Sequence, residues 1–177
     1  MRTLLEKGDS TMSKYLIMYR HGIAEEKESA EDDDLRSLSP RGKILLKKSV
    51  SGFKTMIDNY ENLKIFSSPT VRAKETAEML AGELDLDEPT YLEFLATGSG
   101  VGRLRELVDE IEPGEAAIVV GQQPFLSLWS QEISGTFLRF KKGTAACFRF
   151  PDEEVGESKV ELRWYLQTRD FVKIDDK

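Results

Sequence analysis

Tyr15-Leu16-Ile17-Met18-Tyr19-Arg20-His21-Gly22 is the stretch on which the fold turns. Its apolar part reads as a buried β-strand of the kind that runs without polar alternation through a parallel sheet. The run then stops in an arginine, a histidine and a glycine. Open α/β sheets place their ligands at the carboxyl ends of their strands, so Arg20, His21 and Gly22 fall where a site belongs. His21 is the only histidine of the chain, and any imidazole chemistry is confined to this point.

Downstream of this strand (residues 14–19), strands and helices alternate. Residues 24–34 are crowded with Glu25, Glu26, Glu28, Glu31, Asp32, Asp33 and Asp34. Such a run reads as a solvated loop, or, since it follows His21 directly, as a segment that shapes access to a site. Ser39-Pro40 is a helix start, serine as cap and proline in the first turn. Leu46, Val50, Phe53 and Ile57 mark one apolar stripe in a helix reaching about residue 60, which Gly42 and Gly52 weaken. A second strand covers 63–66 and ends in Ser67-Ser68-Pro69. The next helix, 70–84, buries Ala73, Ala77, Leu80 and Leu84. Arg72 lies in its first turn, where the helix dipole disfavours a cation. An anion held between that guanidinium and the helix start explains its presence.

A third strand is predicted over 90–94, followed by a glycine-rich connection, 96–102. That connection lacks the Gly-Lys-Ser/Thr ending of a P-loop and reads as flexible. Leu104, Val108 and Ile111 mark a helix closed by Pro113-Gly114. Residues 116–120 are the most hydrophobic strand, ending in Gly121-Gln122-Gln123-Pro124 ahead of a helix over 125–133. Strands at 144–150 and 160–166, joined by a polar turn at 152–158, form an antiparallel edge pair, and the charged tail from Thr168 is peripheral. The expected architecture is α/β, a three-layer α/β/α sandwich with a mostly parallel central sheet and an antiparallel edge pair near the C-terminus.

Bulk properties narrow the function. The 177 residues suit one domain, here 14–177, behind a disordered extension over 1–13 in which Met12 is an alternative start. A net charge of -7 leaves no basic stripe for nucleic acid. No apolar run is long enough for a membrane span, residues 1–13 lack the apolar core of a signal peptide, and a cytoplasmic location follows as the default. One cysteine, Cys147, excludes an internal disulfide. With one cysteine and one histidine there is no Cys/His zinc site, and Cys147 reads as a small core residue.

Three strand ends carry polar residues that can converge. They are Arg20-His21-Gly22, Ser67-Ser68-Pro69 with Arg72-Ala73 and Thr76-Ala77, and Gly121-Gln122-Gln123-Pro124. This set resembles the histidine phosphatase superfamily, the phosphoglycerate-mutase-like proteins. It is most similar to the SixA-type phosphohistidine phosphatases, which share the short length and the Leu35-Arg36-Ser37-Leu38-Ser39-Pro40-Arg41-Gly42 stretch. The resemblance covers residues 14–166. It implies that His21 is the nucleophile, that Arg20 and Arg72 bind the phosphoryl group, and that no cofactor or metal is required, the arginines supplying the charge. Arg36 is either a third phosphate contact or an exposed loop arginine. Glu93, at the predicted end of the third strand, is either the acid that protonates the leaving group or a surface carboxylate.

One position departs from the family pattern. The third motif normally supplies a second histidine that donates to the phosphoryl oxygens, and here Gln122 stands in that place. An amide still donates N–H but carries no charge. A hydrogen bond to a charged group contributes about 1.5–3 kcal/mol against about 1 for a neutral one. The loss corresponds to a reaction slower by about tenfold to thirtyfold. With no room for a lid over a small metabolite, a mutase is disfavoured and the expected substrate is a phosphorylated protein side chain, phosphohistidine among the candidates. The alternative is a member that has lost turnover and binds phosphorylated partners.

Overall fold

The opening stretch forms β1 (Lys14–Arg20), and every residue between its ends is buried. The computed structural model describes residues 13–26, 33–150 and 159–175. Residues 1–12 of the expected extension, residues 27–32 of the acidic run and the polar turn at 152–158 lie outside them. After β1 come a single 3-10 turn (Asp33–Leu35), α1 (Pro40–Ile57), β2 (Glu61–Ser67), α2 (Val71–Leu84), β3 (Thr90–Tyr91) and α3 (Phe94–Thr97). Then follow α4 (Val101–Asp109), β4 (Glu115–Gly121), α5 (Phe125–Ser134), β5 (Ala145–Phe150), β6 (Glu161–Leu166) and α6 (Thr168–Asp175).

The six strands are ordered β3-β2-β4-β1-β5-β6. β1 to β4 are mutually parallel, while β5 runs antiparallel to both β1 and β6, as the sequence predicts. The strand pleat sorts the core into two layers. Tyr15, Ile17 and Tyr19 of β1 join Ile118 and Val120 of β4 against α1, α2 and α6. Leu16 and Met18 join Ala117 and Val119 against α4 and α5. Helices cover both faces, which is why β1 and β4 are largely apolar between their end residues.

α1 starts where expected. The Ser39 hydroxyl accepts from Gly42 N at 3.1 Å, and Leu46, Val50, Phe53 and Ile57 are all buried. Gly42 and Gly52 have a reason beyond helix propensity. A Cβ on Gly42 would sit 2.0 Å from the carbonyl oxygen of Ile23, and one on Gly52 would sit 1.9 Å from that of Phe171. These glycines let backbone pack on backbone.

Four readings need correction. The tail from Thr168 is not peripheral: it forms α6, whose fully buried Phe171 meets Phe53 at 5.4 Å and Trp164 at 6.2 Å, both edge to face. The third strand has only two residues, because the chain turns into α3 at Phe94. The glycine-rich connection is not a plain linker: it holds the end of α3 and the start of α4. Gly98 caps α3 at φ 71°, with a Phe125 ring carbon 2.2 Å from where its Cβ would be, and Gly100, at φ 81°, opens α4. Ser13, assigned to the disordered extension, is buried, and its hydroxyl accepts from Arg149 Nε at 3.0 Å.

Candidate functional site

Register brings the three motifs together. Arg20 pairs with Gly121 and Ser67 with Val120, so β1, β4 and β2 end at one level of the sheet. The ladder continues one step further, through His21 N to Gly121 O at 3.1 Å and Ser68 N to Val120 O at 2.9 Å. His21, Gln122 and Ser68 therefore leave the sheet side by side at its carboxyl edge.

The His21 loop is tied down on two sides. Gly22 N donates to the Thr76 hydroxyl at 3.0 Å, and that hydroxyl donates to Arg72 O at 2.7 Å, which locks the loop to the first turns of α2. Gly143 N donates to both Arg20 O and His21 O, each at 3.1 Å. The imidazole is 4% exposed, and its Nδ1 lies 2.8 Å from Gly22 O. A carbonyl only accepts, so Nδ1 carries the proton and Nε2 keeps its lone pair. Burial, followed by the fields of Arg72, Arg20 and Lys142, pushes the His21 pKa down to about 3, against the hydrogen bond that Nδ1 donates to Gly22 O. The ring is neutral at any ordinary pH.

Two guanidiniums accompany it. Arg20 Nη1 donates to Phe140 O at 2.7 Å, while its buried Nε has no partner. Arg72 is 4% exposed, and its Nη2 donates to Gln122 Oε1 at 2.8 Å and to Asp33 Oδ2 at 3.2 Å. Arg72 Nη1 donates to Asp33 O, and its buried Nε is again without a partner. Burial and the neighbouring Arg72 charge push Arg20 below its ordinary pKa. Arg72 is lowered by burial, partly offset by the Asp33 carboxylate. Two orphaned buried donors on cations are costly unless an acceptor arrives.

Gln122 is placed differently from the sequence reading. Its Oε1 accepts from Arg72 Nη2 and from the Thr70 hydroxyl at 3.3 Å, and its Nε2 donates to Ala96 O at 3.1 Å. Arginine only donates and a carbonyl only accepts, so the partners settle which end of the amide is which. Gln122 holds Arg72 in place, and one of its N–H groups bonds the α3 backbone. Arg36 is not a free surface arginine. It grips Asp33 Oδ1 through Nε at 3.0 Å and Nη2 at 2.7 Å, and donates to Glu25 O at 2.8 Å. Glu93 is exposed at the N-terminus of α3, one residue after Leu92, whose N–H bonds Ser67 O at 2.9 Å. Its carboxylate has no hydrogen bond or ion pair among the described residues.

Two participants were not singled out from sequence. Lys142 adds positive field at His21; the signal was Lys141-Lys142, a basic pair ahead of the late strands of an acidic chain. Asp33 reaches Arg72 from across the loop, and nothing distinguished it among its acidic neighbours. Cys147 is buried against the Tyr60 hydroxyl at 3.3 Å, remote from this edge, and burial pushes its pKa up to about 12. Among the described residues no helix is long and apolar enough to cross a membrane, and no His/Cys/Asp/Glu cluster could hold a metal ion.

No family model matches the sequence. An uncharacterized protein of Picosynechococcus sp. is 29% identical over 133 residues, 72% of this chain and 79% of that one. The mitochondrial serine/threonine-protein phosphatase Pgam5 of Drosophila mojavensis is 32% identical over 84 residues, 48% of this chain but 28% of that protein. Among solved structures, the protein histidine phosphatase SixA complexed with tungstate superposes with a TM-score of 0.72 at 22% identity, covering 88% of this chain and 97% of that one. Phosphoglycerate mutase from Plasmodium falciparum gives 0.63 at 18% identity, covering 86% and 90%. Phosphoserine phosphatase from Entamoeba histolytica with 3-phosphoglyceric acid gives 0.63 at 15%, covering 89% and 99%.

Proposed function

We propose that this chain, whose fold is that of the SixA-type and phosphoglycerate-mutase-like histidine phosphatases, is a phosphatase that uses His21 as its nucleophile. One observation carries the reading: a neutral imidazole with its Nε2 lone pair unused sits at a strand end with two arginines, the part-buried Arg20 and the buried Arg72, each keeping a buried, unpaired Nε–H. Oxygens of a phosphoryl group satisfy those donors, and the charge is met by guanidiniums already in place.

In the first step Nε2 attacks phosphorus. An N–P bond forms as the bond to the leaving group breaks, and the leaving atom takes up a proton. Glu93, exposed on the same rim, is the proposed donor of that proton. Water then attacks phosphorus, the N–P bond breaks, and inorganic phosphate leaves with the imidazole neutral again. Arg20 and Arg72 bind the equatorial oxygens throughout. Gln122 contributes by orienting Arg72, and Arg36 acts at one remove through Asp33. The open carboxyl edge, with no large insertion over it, suits a phosphorylated protein side chain, phosphohistidine included.

The test is hydrolysis of an aryl phosphate and of a phosphoramidate, with acid-quenched enzyme examined for phosphohistidine. Turnover lost by at least a thousandfold in His21→Ala is expected; equal rates in the variant and the wild type overturn the mechanism. A second reading, a phosphate-binding module without turnover, is favoured by one feature: the Gln122 amide spends its oxygen on Arg72 and an N–H on Ala96 O, and it brings no charge to the third motif. It requires oxyanion binding without hydrolysis, and little gain from Gln122→His.

A further inference from the structure

Arg72 already holds an anion belonging to its own chain. Asp33 presents Oδ2 to Nη2 at 3.2 Å and its carbonyl oxygen to Nη1, while Asp34 Oδ1 lies further off at 3.7 Å. The other Asp33 oxygen is gripped by Arg36 through two nitrogens, at 3.0 and 2.7 Å. One carboxylate is thus clamped between two guanidiniums, with its oxygens distributed as a phosphoryl group would distribute two of its own. Arg72 is almost wholly shielded, whereas the Asp33 side chain is 32% exposed, so the carboxylate is the more easily moved partner.

A phosphoryl oxygen and Asp33 Oδ2 cannot share Nη2 without bringing two anions into contact where screening is weak. The remaining acceptor on Nη2, Gln122 Oε1, is neutral and has no reason to leave. We propose that Asp33 is a specificity-determining residue that acts as the resident anion of the pocket, displaced from Arg72 by the incoming phosphoryl group. This rests on the reading of Arg72 as a phosphate ligand. A ligand with one charge on two oxygens only exchanges for its equal at Arg72. A phosphoryl dianion brings more charge and a third oxygen, and gains from the exchange. Asp33 thereby sets the affinity an anion must exceed, and its two bonds to Arg36 keep it at hand when the site empties.

Calorimetric titration of the full chain with inorganic phosphate and with orthovanadate tests this. Asp33→Asn keeps size and polarity and removes the charge, and tightens binding about tenfold, the effect of losing one partly exposed charged competitor. Asp33→Ala, as a second variant, tightens it similarly, with near-ultraviolet circular dichroism confirming the packed state of both. In an Arg72→Ala background the gain from Asp33→Asn disappears. Asp34→Asn, removing the more distant and 75% exposed carboxylate, shifts affinity by no more than about twofold. The proposal is overturned if Asp33→Asn binds no tighter than the wild type while Arg72→Ala weakens binding, or if Asp34→Asn matches Asp33→Asn, since the effect is then the general field. Phosphate binding unchanged by Arg72→Ala overturns the pocket reading itself, and this proposal with it.

Discussion

The histidine contribution to the acid sensitivity of folding comes from one position, because the chain has one histidine. His21 titrates at about 3 in the folded protein, driven down first by burial and then by the cations around it. In the unfolded chain it titrates near 6.5. Between these values the unfolded state binds the extra proton, so stability rises with pH across the window and falls on acidification below about pH 6.5. The native state withholds about 3.5 pH units of protonation from this group. At pH 5, still well above the folded value, the loss is about 2 kcal/mol relative to pH 7.5, from the ratio of the two binding polynomials. That is a large fraction of a typical domain's stability. Replacing the ring by an uncharged group of similar shape, His21→Asn, removes the linkage. Urea unfolding of wild type and variant at pH 5.0 and 7.5 is therefore expected to show a stability difference between the two pH values about 2 kcal/mol larger in the wild type. Carboxylates contribute equally to both proteins and cancel. Equal differences in the two proteins would refute the burial and cation field assigned to His21, and with them the case for a permanently neutral nucleophile.

The backbone contacts of α1 are tested by glycine substitution. Gly52→Ala, which drives a Cβ to 1.9 Å from Phe171 O, should cost about 3 kcal/mol or fail to fold, whereas Gly82→Ala in α2, with nothing within 4 Å, should stabilise by about 0.5–1 kcal/mol in the same urea titration. Phe171→Ala, opening a cavity among Phe53, Trp164 and α1, should cost about 3–5 kcal/mol by thermal or urea denaturation; a loss below about 1 kcal/mol means that α6 is dispensable. Gln122→Ala frees Arg72 Nη2 from its neutral acceptor and removes the tie to Ala96 O. If Gln122 positions Arg72, phosphatase kcat/KM should fall about tenfold or more with the pH profile unmoved; an unchanged rate refutes that role.

Much of the site was legible because its chemistry is local in sequence. An apolar run ending in Arg20-His21, a helix whose first turn carries Arg72 against the dipole, and a strand ending in Gln122 each announce themselves by residue type and position. The mostly parallel sheet agrees because buried parallel strands have a composition of their own. Side-chain direction was not legible. Gln122 was expected to donate to the ligand, yet it turns its oxygen to Arg72 and its N–H to α3. Arg36 was expected to reach either phosphate or solvent, yet it is spent on Asp33. Glu93 moved from a strand end to the start of α3, because a two-residue strand leaves the chain free to turn early.

By itself the sequence determined the alternation of strands and helices, the caps and stripes that bound them, and the identity of a sole histidine placed between cations. These follow from periodicity and from residue chemistry, which act over a few positions. Tertiary structure decided everything that depends on distances between remote segments. It tucked the charged tail under α1 through Phe171 and the bare backbone at Gly52. It set Lys142 within electrostatic reach of His21, and it laid Asp33 across Arg72. The physical reason is the same in each case. An aspartate in an acidic run looks like every other aspartate until the fold brings a buried guanidinium into hydrogen-bond contact with it.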